Sequence, residues 1–308
     1  MKYASPLIPI LFTSMLPFTW AQEPSQKVVN LFEIQMEILG KQDQLTQKEM
    51  NDELVSRLYL PHSKFWAGYC CQNEPTFRYV LDVTHDKTKK NLARHHQALK
   101  TMDIEKILSE TADSLESLTG QKPIGSWYLV FSLGQTDLGS VGDGNMIIDF
   151  NHPDVNLERI KRLMPHELTH QIMANNDPQP EDTVLNRIFS EGFATYAGYR
   201  FFKKQLTPAE NLLYSEAEWQ WCLKNEKRIY ETLKPFFASL KDEDEAMVGS
   251  RNVSIFDGAP GAIGYFVGFR ISQKYVEKNG EDRWIDLYRM TPQEALTQSG
   301  YGAFISSL

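Results

Sequence analysis

Apolar residues recur at helical spacing through most of the second half of the chain, and such segments must bury one face against neighbouring elements. Four segments show this pattern: 156–175, 183–204, 207–240 and 261–280. Residues 127–131 have the strongest strand signal, and 146–150 are a second candidate. The sequence therefore predicts an α+β fold, mostly helical, with a small sheet next to the helix at 156–175.

The first half of the chain is also predicted to be largely helical. Residues 27–60 and 89–118 carry apolar residues near helical spacing, residues 77–83 could form a strand, and Gly120 is typical of a helix C-terminus. Composition shifts at residue 120. The predicted organisation is a helical N-terminal region at 22–119 and a second domain at 120–308.

The first 21 residues have the layout of a cleavable secretory signal. Lys2 supplies a positive start, residues 7–18 are mostly apolar, and Ala21 precedes a polar stretch. The alternative, a short uncleaved anchor, is disfavoured because prolines interrupt the segment. Export is predicted, with cleavage near Ala21 and a periplasmic or secreted destination. No cysteine stands directly after the cleavage region, which disfavours a lipid anchor, and no later stretch is long and apolar enough to cross a membrane.

Charge and cysteine content exclude some classes of protein. The formal net charge of −8 argues against a nucleic-acid partner, because the phosphate backbone attracts basic surfaces. Three cysteines in an oxidising compartment leave one unpaired. Adjacent cysteines rarely pair, so two alternatives remain open: Cys222 bridges Cys70 or Cys71, or all three are buried thiols.

The segment at 164–172 carries the chemistry. His166 and His170 are four residues apart, so on a helix both imidazoles lie on one face and can share one Zn²⁺ ion. Glu167 can reach a zinc-bound water and act as general base, which completes the HExxH pattern. A solvated helix with two histidines is the alternative, but apolar flanks on both sides favour a buried helix.

A carboxylate must complete the zinc site, because no histidine follows His170. Glu191 is favoured because it sits in an apolar stretch, where a buried charge needs a partner. Gly192 and Ala194 are small enough to let its helix approach the motif helix. The other candidates lie in a polar, proline-rich loop: Asp177, Glu181 and Asp182.

The blocks HELTH at 166–170 and SEGFATY at 190–196 resemble the gluzincin type of zinc peptidase. The block GAIGYFVGFR at 261–270 resembles the bacterial predicted Zn-dependent proteases, a domain of unknown function. The resemblance implies that 120–308 is a zincin-like metallopeptidase domain acting on a peptide or protein substrate. In gluzincins a carboxylate often orients a ligand histidine, and this chain has Thr195 at that position. Asp149 or Asp257 could therefore take the place of the missing carboxylate.

Peptide hydrolysis also needs a donor for the oxyanion. Tyr265 is the first candidate and Tyr196 the second, although packing in the core explains each equally well. Strand 146–150 could bind substrate backbone along its edge. The predicted function is an exported zinc metallopeptidase with His166, His170 and Glu191 as ligands. The alternatives are an exported zinc hydrolase of another amide bond, such as one in the cell wall, and a non-catalytic zinc-binding exported protein.

Overall fold

A computed structural model describes residues 26–84, 102–176 and 182–308. The predicted signal segment and part of the predicted helix at 89–118 lie outside these ranges. The described chain is α+β and mostly helical with one small sheet, as predicted. None of its helices combines the length and the apolar character that crossing a bilayer requires.

The sheet has four strands in the order β1-β2-β4-β3. Strands β1 and β4 pair in parallel with β2, and β3 pairs antiparallel with β4. The strands are β1 (Gln26–Asn30), β2 (Gly125–Val130), β3 (Leu138–Ser140) and β4 (Met146–Asp149). Sequence patterning predicted β2 and β4 but not β1 or the three-residue β3.

Some of the helices pack against this sheet, and the later ones continue the core through the C-terminal half. Those before β2 are α1 (Leu31–Leu39), α2 (Gln47–Leu54), α3 (Ser63–Tyr69), α4 (described at 74–84) and α5 (Ile104–Thr119). Two long helices follow the sheet: α6 (Leu157–Asn176) and α7 (Val184–Phe201). The remaining ones are α8 (Pro208–Asn211), α9 (Glu216–Lys224), α10 (Glu226–Leu233), α11 (Asp242–Gly249), α12 (Ile263–Asn279), α13 (Pro292–Ser299) and α14 (Tyr301–Ser307).

Two predictions in the first half are wrong at the level of secondary structure. Residues 77–83 are helical, because Phe77 and Val80 are buried three residues apart on one face while Tyr79 and Val83 are exposed on the other. The predicted helix at 27–60 begins only at Leu31, since the preceding residues pair with β2. The left-handed Gly120 ends α5 as predicted.

The cysteine predictions are also wrong, because a disulfide joins the neighbours Cys70 and Cys71. At the end of α3 both of their backbone N–H groups donate to the carbonyl oxygen of Trp66, and this turn brings the two side chains together. Cys222 on α9 is a buried free thiol, where burial raises its pKa to about 12.

Helices α7 and α12 pack closely through glycines. A Cβ atom on Gly192 would lie 2.2 Å from Cα of Gly268, and one on Gly268 would lie 1.9 Å from the carbonyl oxygen of Ile188. Gly192 therefore admits α12, not the motif helix α6 as the sequence suggested. This contact fixes α7, which carries Glu191, against α12, which carries Tyr265.

Candidate metal centre

The two histidines lie on α6, which is continuous through Pro165. The helix packs against the sheet through Gln171, whose amide donates to the carbonyl oxygen of Gly144 at 2.8 Å and accepts from the Trp127 indole at 3.3 Å. Ile160, Met164, Leu168 and Ile172 are buried. The apolar flanks therefore bury the helix as predicted, and the histidines face the remaining side.

Three predicted ligands converge on one point. The distance between Nε2 of His166 and Nε2 of His170 is 3.0 Å. The Oε2 atom of Glu191 lies 3.2 Å from the first nitrogen and 3.4 Å from the second. A tetrahedral zinc ion with bonds of about 2.1 Å separates its ligand atoms by roughly 3.4 Å. The spacing and the N,N,O donor set therefore fit zinc.

A hydroxyl group lies beside the Nδ1 atom of each imidazole. Oγ1 of Thr195 donates its hydrogen to the carbonyl oxygen of Glu191 at 2.8 Å, so towards Nδ1 of His166, at 3.4 Å, it can only accept. With the Thr195 hydrogen on the carbonyl oxygen, a hydrogen on Nδ1 of His166 completes the contact and leaves Nε2 on the side of the site. Oγ of Ser190 lies 3.0 Å from Nδ1 of His170.

Arg187 and the histidines keep Glu191 ionised. Nη2 of Arg187 lies 3.0 Å from Oε1 of Glu191, one helical turn away on α7. Burial opposes ionisation, but Arg187 and His170 together lower the pKa of Glu191 well below its usual range. Burial likewise opposes protonation of His170, but the Glu191 carboxylate outweighs it and raises the pKa of His170.

Glu167 and Tyr265 border the same site. The Glu167 side chain is buried, and this burial raises its pKa although the two histidines act in the opposite direction. The ring of Tyr265 stacks over His166 with centroids 6.2 Å apart. Burial and the Glu191 carboxylate raise the pKa of Tyr265 well above its usual value. Tyr196 instead packs edge-on against Phe269 in the core.

A cleft of about 960 Å³ opens onto these side chains. One wall is the segment 135–144, and the other is formed by the first turns of α7 and residues 288–292. The strand predicted to offer its edge to a ligand, β4, is internal to the sheet, because the unpredicted hairpin partner β3 covers it. Among the described strands, β3 is the one at the edge beside the cleft.

Neither of the two carboxylates proposed to orient a ligand histidine does so. Asp257 is exposed. Asp149 is buried and instead ties the end of the sheet together. Its carboxylate accepts hydrogen bonds from three backbone N–H groups and one hydroxyl: Ser132, Gly134, Asn151 and Tyr69.

Sequence patterning missed Arg187 and Ser190. Arg187 had one usable signal, because it lies four residues before Glu191 in an otherwise apolar helix, the spacing of an ion pair on one helix face. Asp182, a rival third ligand, is exposed, while Asp177 and Glu181 lie outside the described residues.

Comparison with known proteins changes the functional interpretation. Residues 154–303, just under half of the chain, match the model of a lipoprotein family described as gliding motility protein GldB. No curated protein and no solved structure matches the chain. The zincin-like part of the predicted fold therefore stays a prediction.

The family match contradicts the predicted recognition and function. The matched segment contains both histidines, Glu191 and the block at 261–270, so the blocks that resembled a zinc peptidase lie within the similarity to GldB. The assignments as gluzincin, enzyme and protease are wrong, and the expected peptide substrate loses its support. The label of a lipoprotein family agrees with the predicted export. Over its C-terminal half the chain is thus similar to the gliding motility protein GldB.

Proposed function

We propose that the chain is an exported, non-catalytic zinc-binding protein that serves gliding motility. The observation that carries the proposal is the convergence of His166, His170 and Glu191 within a segment that matches the GldB family. In this role the metal would link α6 to α7 and present one open coordination position to the cleft. The chain's own residues would hold and orient that ion.

Several features support a binding role for zinc. The three donor atoms lie within 4.8 Å of one another. The ligands come from two helices that share a core, so a bound ion adds a cross-link to an already packed pair. A zinc ion here would supply Lewis acidity for holding an additional donor group.

The proposal includes cleavage of the signal segment and a location outside the cytoplasm. Cleavage near Ala21 would release a mature chain that begins at Gln22, outside the cytoplasm. The charge of −8 adds no attraction to nucleic acid. A periplasmic or secreted location would place the metal centre where a motility component could meet its partner.

We expect purified protein to bind about one zinc ion per chain. The double variant His166→Ala/His170→Ala should lose this ion, because one carboxylate alone holds zinc poorly. Metal analysis after dialysis against zinc measures the stoichiometry. The control His152→Ala alters a histidine that lies outside the cleft wall and should bind as the wild type does. Wild-type protein without zinc would contradict the proposal.

The motility role predicts different results for two site variants. Deleting the gene in the organism that carries it should reduce surface gliding. Re-expression of the variant His166→Ala/His170→Ala should fail to restore gliding. Glu167→Gln should restore gliding, because it keeps the ligands and the shape of the buried side chain while removing the basic carboxylate. Glide speed on agar measures each strain. Normal gliding after deletion, or loss of gliding with Glu167→Gln at normal zinc content, would overturn the non-catalytic motility role.

A further inference from the structure

We infer that Arg187 is a positioning residue that restricts Glu191 to binding zinc through a single oxygen. The two carboxylate oxygens of Glu191 have different surroundings. Oε2 faces both Nε2 atoms, at 3.2 and 3.4 Å, while Oε1 lies 3.0 Å from Nη2 of Arg187. The inference rests on the proposed zinc-binding function and assigns a residue that determines the geometry of that site.

Helix geometry places Arg187 beside Glu191. It precedes Glu191 by four residues on α7, so the two side chains lie on the same face one turn apart. The Glu191 side chain is 8% exposed, which leaves its charge little solvent to turn towards. The attraction between the two charges is stronger where solvent screens it less. Oε1 is therefore held away from the metal position.

A second helix holds Arg187 itself. Nε of Arg187 lies 3.7 Å from Oε1 of Glu245 on α11. A Cβ atom on Gly249, at the end of the same helix, would lie 3.3 Å from that nitrogen, so the glycine leaves room for the guanidinium. Arg187 thus lies between α7 and α11, with carboxylates on both sides.

The consequence concerns the coordination number. Two imidazole nitrogens and one carboxylate oxygen would fill three of four tetrahedral positions on a bound zinc ion and leave one for a further donor, and all three side chains line the cleft. A carboxylate free to rotate could bind through both oxygens and fill that position. By holding Oε1, Arg187 keeps the fourth position open for a donor group from outside the chain. Groups that orient metal ligands typically contribute 10–100-fold in metal affinity.

The test uses the full mature chain with Arg187→Ala and Arg187→Gln. Zinc affinity is measured by competition with a chromophoric chelator, and Co²⁺ serves as a spectroscopic probe of coordination number. Arg187→Ala should weaken zinc binding by about 10-fold and reduce the intensity of the visible Co²⁺ bands, as expected when a four-coordinate site becomes five-coordinate. Arg187→Gln, which keeps a hydrogen-bond donor, should recover the four-coordinate spectrum and part of the affinity.

Arg200→Ala is the matched control, because Arg200 lies on the same helix and pairs with Glu281 at 2.6 Å, away from the cleft. It should change neither zinc affinity nor the Co²⁺ spectrum. Circular dichroism verifies that each variant is folded. A wild-type chain that binds no zinc would refute the proposed function. A wild-type chain that binds zinc, with Arg187→Ala identical to it in affinity and spectrum, would refute the role of Arg187 alone.

Discussion

Gly268→Ala is expected to lower the free energy of unfolding by about 3 kcal/mol, at the upper end of the range for overpacked cores. The added methyl group would lie 1.9 Å from the carbonyl oxygen of Ile188 and 2.9 Å from Cα of Gly192. Both neighbours are backbone atoms, so no side-chain rotation relieves the clash. Helices α7 and α12 must move apart, and the many apolar contacts between them weaken.

Chemical denaturation of purified protein measures this effect. Zinc affinity should fall in the same variant, because α7 carries Glu191 and a shift of this helix moves one ligand relative to the two on α6. Gly198→Ala on α7 is the control. A Cβ atom there would meet only Oδ1 of Asn211 at 3.7 Å, and alanine favours a helix by up to about 1 kcal/mol over glycine. Equal stability of Gly268→Ala and wild type would contradict the observed packing.

Glu226→Ala is expected to destabilise the protein by about 3–5 kcal/mol, because it leaves a buried guanidinium without its counter-charge. Nε of Arg270 lies 2.7 Å from Oε1 of Glu226, and the Tyr301 hydroxyl donates to the same oxygen at 3.0 Å. The side chains of Glu226 and Arg270 are 3% and 10% exposed. This network joins α10, α12 and α14 on the side of the core away from the cleft.

Thermal and denaturant unfolding of single and double variants test the network. Removing both charges with Glu226→Leu/Arg270→Met should recover much of the lost stability, since no buried charge then remains unpaired. Glu281→Ala, which breaks an exposed ion pair with Arg200, should cost at most about 1 kcal/mol. A double variant less stable than Glu226→Ala would show that packing, not charge, dominates at this position.

The convergence of three potential metal-binding side chains could be predicted from the sequence because their geometry is local or follows from burial. His166 and His170 lie four residues apart on one helix, so their convergence needs no knowledge of the rest of the fold. Glu191 could be chosen because a carboxylate in an apolar stretch needs a cation. The fold class could be predicted from helical periodicity, because the spacing of apolar residues indicates which face of a segment is buried.

The prediction of a peptidase function was wrong because a short motif does not determine an activity. A five-residue metal motif constrains ligand geometry, but the activity of a site depends on the whole set of residues around it. Thr195 was the one departure noted from the gluzincin pattern, because a hydroxyl stands where gluzincins often have a carboxylate, and it left open only which residue orients a ligand histidine. The match across 154–303 takes in many more positions than the motif, and it is to a family described as gliding motility protein GldB.

By itself, the sequence determined the α+β class, the helices that carry the site and the three side chains, His166, His170 and Glu191, that converge there. Tertiary structure alone decided that β3 covers β4, that Gly192 faces α12 and that Arg187 holds one oxygen of Glu191. Local periodicity identifies which face of an element is buried, but not which neighbour covers it. That choice depends on contacts between residues distant in the chain, which form only when the helices and the sheet pack together.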